Sequence, residues 1–239
     1  MSTASLTQVN NNSEINVCMC THVWLGVYNG GVERIESFAR ALSKKGVNVY
    51  IIDRVASKSL SALINDKDTY REVKNGKMLI HLYPRHMIFL FPGILKFFQE
   101  ALNQIFRITG KTIKSEVFYS QILDLYLMLK LFFVCKKENI TVIQSEYPYS
   151  LFSAFVIGKL LNIPIVYDAH NVESERLKSL NSGKLQTALT RKIEIKSCNL
   201  CNAVFTVSSD DKRILQAMGI SGKKMTIIPN SIELDKCTF

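Results

Sequence analysis

The stretch PIVYDAHNVE, residues 164–173, joins a near-continuous apolar run to a cluster of polar side chains. The apolar run predicts a strand with few polar alternations, which is typical of a sheet covered on both faces. Upstream, TVIQSE (141–146) predicts another strand, followed by a helix over about 150–161. Downstream, a helix over about 174–199 precedes the strand AVFTVS (203–208). This alternation of strands and helices is typical of parallel βαβ units.

The same alternation continues toward both ends of the chain. Further strands are predicted at 15–20, 47–53, 78–83 and 225–229. A helix between the first two of these starts near Gly30 and ends before Gly46, where a glycine favours a helix stop. Residues 84–138 interrupt the rhythm with an aromatic-rich segment and a long apolar helix pattern at 120–137. With about seven strands, the sequence predicts an α/β fold: one doubly wound, mostly parallel, Rossmann-like sheet over residues 15–235.

Composition limits the class of protein. The chain has 239 residues, 47% hydrophobic and 21% charged, which is ordinary for a soluble globular domain. Residues 1–14 are polar and aperiodic, which predicts a disordered tail that lacks the basic and apolar regions of a secretory signal. No apolar run reaches the roughly 18 residues of a membrane-spanning helix. We therefore expect a cytoplasmic location.

A net charge of +10 favours anionic partners, which include nucleic acid, membrane surfaces and phosphorylated ligands. The sequence has neither zinc-finger spacing nor a ribonucleoprotein-type aromatic motif, so nucleic acid is not the predicted partner. Among the six cysteines, Cys198 and Cys201 form an isolated C-x-x-C. Because no second pair accompanies it, we predict inert thiols and no metal site.

Ligands of doubly wound sheets bind beyond the carboxyl ends of the strands, and this rule selects the candidate site residues. Gly30 and Gly31 precede the first helix, where free backbone N–H groups and the helix dipole favour a phosphate. The alternative is a turn that only needs a positive φ angle. His170 follows a buried strand, where an imidazole can hydrogen-bond a sugar hydroxyl or a phosphate. The alternative for His170 is a loop residue that satisfies backbone carbonyls.

Three further polar residues lie at strand ends. Asn171 and Glu173 follow His170, and each can contact a ligand or serve the next helix, Asn171 as its cap. Ser208 stands three residues before Asp211, an arrangement similar to a helix cap, although a ligand can share that helix start. Asp53 ends a strand where a ribose-binding acid would lie in a nicotinamide-dependent enzyme. The G-x-G-x-x-G pattern of such enzymes is absent, which disfavours that function.

Several of these stretches together resemble the N-terminal domain of family 4 glycosyltransferases, which have the GT-B fold. The matching stretches are GGVER and ALSKKGVNVYIID, IPIVYDAHNVE, AVFTVSSDDKRILQAMGI and TIIPNSIELD. They occur in the family's order and cover about residues 15–235. The resemblance implies transfer of a sugar from a nucleotide-sugar donor to an acceptor hydroxyl, with retention of configuration and without a metal or other cofactor.

The resemblance also implies roles for individual residues. Gly30 and Gly31 would face the donor phosphate, and His170 would lie near the reacting carbon as the catalytic residue. Asn171, Glu173 and Ser208 would contact the acceptor or the sugar. Residues 236–239 would begin the hinge to a C-terminal donor-binding domain, which this chain lacks, and the chain alone would be almost inactive.

The basic, aromatic character of residues 84–138 suggests a further partner. Eight basic and three acidic residues lie between residues 84 and 137, and the same stretch carries Phe89, Phe91, Phe97, Phe98 and Phe106. This composition favours contact with an anionic membrane surface or a lipid-linked acceptor glycan, against the alternative of helices packed on the sheet with a solvated rim. Three other functions remain open: a non-catalytic or split-subunit binding domain, a sugar-nucleotide epimerase and an NAD-dependent oxidoreductase.

Overall fold

A computed structural model describes residues 14–21, 30–55, 69–73, 76–84 and 125–230 of the chain. The strands in these ranges form one sheet in the order β3-β4-β2-β1-β5-β6-β7-β8. They are β1 (Asn16–Cys20), β2 (Asn48–Val55), β3 (Thr69–Val73), β4 (Gly76–Pro84), β5 (Val142–Glu146), β6 (Ile165–Ala169), β7 (Ala203–Thr206) and β8 (Met225–Ile227). All neighbours pair in parallel except β3 and β4, which are antiparallel. The predicted doubly wound, mostly parallel sheet is confirmed.

Helices connect these strands. They are α1 (Gly30–Lys44), α2 (Leu125–Lys137), α3 (Tyr147–Leu161), α4 (Glu173–Ser179), α5 (Lys184–Leu200) and α6 (Ser209–Ala217), with a short 3-10 turn at Gly222–Lys224. The strand order reverses between β1 and β5, because the chain builds one side of the sheet outward from β1 and then the other side from β5. Such a switch point opens a crevice at the carboxyl edge of a parallel sheet.

Two hydrophobic cores lie on opposite faces of the sheet. Alternate residues of β1 divide between them, since Met19 packs in the core under α1 and Cys18 packs in the larger core on the other face. Ile35 and Ala39 of α1 complete the smaller core. Burial on both faces explains why the strands read as continuous apolar runs in the sequence.

The structure differs from the sequence prediction at two places. The polar section before β4 contains the antiparallel strand β3, which adds an eighth strand to the seven predicted. The helix predicted over about 174–199 is two helices, α4 and α5, because Asn181 adopts a left-handed φ of 53° between them. By contrast, the predicted stop of α1 is confirmed, since Gly46 has a φ of 85° there.

Some predictions fall outside the described residues. These are most of the disordered tail, the aromatic-rich segment before α2, and the start of the hinge at 236–239. Within the described ranges, no helix combines the length and apolarity needed to cross a membrane. The cysteines at 18, 20, 135, 198 and 201 are free and buried, as the sequence predicts. Loss of water raises the pKa of Cys201 to about 12, which keeps this thiol protonated and unreactive.

Candidate functional site

The carboxyl ends of β5 and β6 bring polar side chains together on one face of the sheet. Parallel pairing places Glu146 beside Asp168. Residues two apart along a strand share a face, so Gln144 lies on the same face as Glu146, and His170 lies one residue beyond the end of β6. The pairing of β5 with β6 therefore brings polar residues from two distant parts of the chain together.

Glu146 and His170 form the centre of this cluster. Glu146 Oε2 lies 2.7 Å from His170 Nε2, and Gln144 Nε2 donates a 2.8 Å hydrogen bond to Glu146 Oε1. The Glu146 side chain is 0% exposed and that of His170 is 5% exposed. His170 Nδ1 is also buried and has no hydrogen-bond partner within the described residues. The protein thus fixes the Nε2 nitrogen of His170 through Glu146.

Tyr147 holds the His170 ring from the side. The two rings stack with centroids 4.1 Å apart and planes at 28°. Tyr147 follows β5 directly and begins α3 with a φ of 65°, a left-handed conformation that costs a non-glycine residue about 1–3 kcal/mol. Pro148 occupies the first turn of the helix, which suits a helix start. The strained turn joins β5 to α3 with no intervening loop, and it places the tyrosine ring against His170.

Arg34 joins three elements beneath the site. Its Nε and Nη2 atoms donate to the two carboxylate oxygens of Asp168 at 3.0 and 2.8 Å. Its Nη1 donates to the carbonyl of Ile228 at 2.8 Å and to Asn230 Oδ1 at 3.1 Å. Arg34 and Asp168 are 5% and 1% exposed. The guanidinium therefore ties α1 to the end of β6 and to the turn after β8.

Burial shapes the electrostatics of the cluster. The pKa of Glu146 is raised, first by loss of water and second by the Asp168 carboxylate, while hydrogen bonds from His170 and Gln144 oppose the shift. Loss of water also raises the pKa of Tyr147 to about 12, so its hydroxyl stays protonated. The site consequently favours retention of protons around Glu146.

Gly30 and Gly31 start α1, as predicted, and α1 begins at the carboxyl edge because it follows β1. Gly30 has no left-handed φ, so the alternative of a turn that needs positive φ is wrong for this residue. A Cβ atom added to Gly30 would meet no heavy atom within 4 Å, so packing does not require glycine there. Its exposed backbone is open to a ligand.

Asn171 and Glu173 differ in their surroundings. Asn171 Oδ1 is buried without a hydrogen-bond partner in the described part of the chain, so Asn171 does not cap α4. Glu194 of α5 has that role, because its carboxylate accepts from the backbone N–H groups of Glu173 at 2.7 Å and Ser174 at 3.2 Å. Glu173 is 1% exposed, and its carboxylate accepts a 2.9 Å hydrogen bond from Arg176.

Ser208 caps α6. Its Oγ accepts a 3.0 Å hydrogen bond from the backbone N–H of Asp211 and donates to Asp211 Oδ2 at 2.6 Å. The predicted capping arrangement is confirmed. The Ser208 hydroxyl is engaged on both sides, and contact with an acceptor stays a prediction.

Sequence reasoning missed Glu146, Arg34 and Tyr147. Glu146 is the last residue of β5, so the rule that ligands bind at the carboxyl ends of strands could have selected it. Arg34 stands between the buried residues Val32 and Ile35, and a basic residue on the apolar face of a helix signals a buried partner. Tyr147 gives no signal in the sequence, because only the backbone turn brings it onto His170.

Glu146, Asp168 and His170 each place one potential metal-binding atom within 4.8 Å of the others. Arg34 occupies both oxygens of Asp168, and the 2.7 Å contact between Glu146 and His170 is a hydrogen-bond distance. A metal ion would have to displace these interactions. The absence of a metal cofactor stays a prediction.

Solved structures of other proteins share this fold. One similar structure is Anabaena HepE in complex with UDP-glucose, with a TM-score of 0.55 and 11% sequence identity. A second is sucrose-phosphate synthase of Thermosynechococcus elongatus, with a TM-score of 0.57 and 13% identity. A third is the catalytic domain of Arabidopsis thaliana starch synthase IV bound to ADP and acarbose, with a TM-score of 0.51 and 14% identity. Each match covers 93% of this chain and, respectively, 45%, 49% and 52% of the other. The chain thus spans about half the length of these proteins.

No curated protein sequence matches this chain significantly. The sequence profile of Glycosyltransferase Family 4 matches residues 28–236, which include every element from α1 to β8. This match confirms the resemblance that the sequence motifs indicate. The chain belongs to glycosyltransferase family 4.

Proposed function

We propose that this chain forms the acceptor-side half of a cleft in which a sugar passes from a nucleotide-sugar donor to an acceptor hydroxyl, with retention of configuration. The observation that carries the proposal is the carboxyl-edge cluster, where His170 is held by Glu146 and Tyr147 while its Nδ1 lacks a partner in the described residues. Family membership supplies the reaction class.

Residues at the carboxyl edge of the sheet have different roles in this reaction. The start of α1, where Gly30 is exposed and Gly31 is half-buried, receives the donor phosphate through backbone N–H groups and the helix dipole. His170 contacts the donor sugar close to the reacting carbon, and Asn171 adds a second polar contact. Such fixed polar groups stabilise charge that develops in the transition state without reorganising. The hydrogen bonds of Glu173 and Ser208 support a structural task for these two residues.

A second domain completes the cleft in this proposal, because the chain spans about half the length of the similar structures. That domain supplies most contacts to the nucleotide, and no metal or other cofactor takes part. We therefore expect residues 1–239 alone to bind a nucleotide sugar weakly and to transfer almost no sugar. Rapid sugar transfer by this chain alone would contradict the proposal that a second domain is needed for catalysis.

Nuclear magnetic resonance titration tests the proposal directly. Uniformly ¹⁵N-labelled chain is titrated with UDP-glucose and with other UDP-, ADP- and GDP-sugars. We expect the amide signals of Gly30, Gly31 and His170 to shift with at least one donor, and His170→Ala to reduce the shifts. Arg213→Ala is the matched control, because Arg213 lies on the exposed surface of α6. Shifts confined to other surfaces would contradict the site.

We also propose that α2 contributes to contact with an anionic membrane surface, where a lipid-linked acceptor would be found. Leu129 and Phe133, one turn apart on α2, are 52% and 63% exposed. Lys136 and Lys137 are exposed at the end of the same helix. Apolar and basic groups together suit an interfacial contact. Liposome flotation at low salt checks it, and failure to bind anionic vesicles would refute it.

A further inference from the structure

Three neighbouring helices form a layer over one face of the sheet. Helix α2 packs against α3, and α3 packs against α5. Buried side chains of all three helices belong to the larger core, whereas α1 packs on the smaller core at the opposite face. The exposed residues of α2, α3 and α5 therefore lie on one outward side of the molecule, which we call the three-helix surface.

The three-helix surface is basic. The three helices contain a single acidic residue, Glu194, which is buried and accepts hydrogen bonds from the start of α4. Just beyond α2, Glu138 pairs with Lys137 at 3.4 Å and offsets one positive charge. Each helix has at least one exposed basic residue, and α5 has four, which are Lys184, Arg191, Lys192 and Lys196. Such a surface attracts an anionic partner.

Helices α1 and α6 carry both signs of charge instead. Glu33 and Glu36 of α1 form ion pairs with Arg40 of the same helix. Asp210 of α6 pairs with Arg213 one turn later. The net charge of +10 is therefore distributed unevenly over the described helices, with its excess on one side of the sheet.

Large apolar side chains are interleaved with the cations of the three-helix surface. Leu129 of α2, Phe152 of α3 and Leu185 of α5 are 52%, 42% and 38% exposed. An exposed lysine follows seven residues later on each helix, namely Lys136, Lys159 and Lys192. A spacing of seven residues returns a side chain to the same side of a helix. The same pairing of an apolar with a cationic group thus recurs on all three helices.

This combination favours a lipid surface over a soluble polyanion. A polyanion needs only the cations, and it would leave the exposed leucine and phenylalanine side chains in water. At a bilayer, anionic head groups attract the basic residues while apolar side chains enter the boundary between head groups and acyl chains. Lysine carries its charge on a long apolar stem, which suits the same boundary.

We propose that the three-helix surface docks on a membrane that contains anionic lipids, with α3 and α5 in contact as well as α2. The inference rests on the membrane contact proposed above for α2 and extends it. Docking sets the sheet parallel to the bilayer, because the helices cover one of its faces, and α1 faces away. The carboxyl edge with His170 then opens along the membrane, where a lipid-linked acceptor would lie.

Co-sedimentation with vesicles tests the contribution of α5. The chain is mixed with vesicles of phosphatidylcholine and phosphatidylglycerol in equal amounts, and separately with vesicles of phosphatidylcholine alone. Each basic residue near an anionic surface strengthens binding about fivefold, so Lys192→Gln with Lys196→Gln should weaken binding to the anionic vesicles about 25-fold. Equally strong binding of the wild-type chain to both kinds of vesicle would overturn the proposal.

Lys44→Gln with Lys45→Gln is the matched control. It removes the same charge from exposed positions at the end of α1, which packs on the opposite face of the sheet. Charges that face away from the bilayer are screened by salt, so this variant should weaken binding less than about threefold. An equal loss in the two double variants would show that net charge, and not the three-helix surface, governs binding.

Two apolar variants separate α3 from α2. Phe152→Gln with Leu160→Gln should weaken vesicle binding, because both side chains are exposed on α3. If only Leu129→Gln with Phe133→Gln weakens binding, the extension to α3 and α5 is wrong and the contact through α2 stands. A wild-type chain that binds polyuridylate more tightly than anionic vesicles would also overturn the proposal. The donor titration contains no vesicles, so its outcome is independent of these results.

Discussion

Replacing Arg34 with methionine should strongly destabilise the fold, although the substitution keeps a long side chain in a buried position. Arg34 and Asp168 are 5% and 1% exposed, and the guanidinium meets both carboxylate oxygens. Methionine leaves the Asp168 charge buried without a partner. Breaking one side of such a pair costs about 3–5 kcal/mol.

Further losses add to this cost. The carbonyl of Ile228 and the side chain of Asn230 each lose the hydrogen bond from Arg34 Nη1. An unsatisfied buried acceptor costs about 1–3 kcal/mol, but Asn230 is exposed and can be solvated by water. We therefore expect a total loss of about 4–8 kcal/mol in the free energy of unfolding.

Urea unfolding of the chain at pH 7, followed by circular dichroism, measures this loss. The double variant Arg34→Met with Asp168→Asn removes both charges, so it should recover at least about 2 kcal/mol relative to the sum of the single variants. Arg213→Met is the matched control, because its ion pair with Asp210 is 79% and 76% exposed. We expect it to cost less than about 1 kcal/mol. A loss below about 1 kcal/mol for Arg34→Met would refute the reasoning.

Three other changes test separate parts of the structure. Ser208→Ala removes the cap of α6 and should cost about 1 kcal/mol in urea unfolding, whereas an unchanged stability would show that the cap is dispensable. Gly158→Ala places a methyl group 2.7 Å from Ile165 Cγ1 and should cost about 1–3 kcal/mol by the same assay, while Gly30→Ala, which meets nothing within 4 Å, should stay within about 0.5 kcal/mol. Loss of water raises the pKa of Glu194 in the folded state, so its favourable contribution is full below the unfolded pKa of about 4.5 and is lost as pH rises through the folded pKa. The stability of Glu194→Gln relative to wild type should therefore increase between pH 4 and pH 7, and a constant difference would contradict this account.

The glycosyltransferase assignment depends on short motifs in a fixed order, and those motifs are local. Gly30 and Gly31 start a helix and His170 follows a buried strand, and both positions could be predicted because strand ends and helix starts leave clear patterns in sequence. The strand β3 could not be predicted in this way. It pairs only at the edge of the sheet, with β4, in a polar section that has no continuous apolar run.

By itself, the sequence determined the α/β class, the two-faced burial of the sheet, the start of α1, the capping by Ser208 and the family. These follow from apolar periodicity and local backbone chemistry, which act over a few residues. Only the tertiary structure decided the partners of His170 and Asp168. Glu146 is 24 residues from His170, and Arg34 is 134 residues from Asp168. Such pairs arise because parallel strands and their helices bring distant residues to one edge, and no local pattern records which residues meet there.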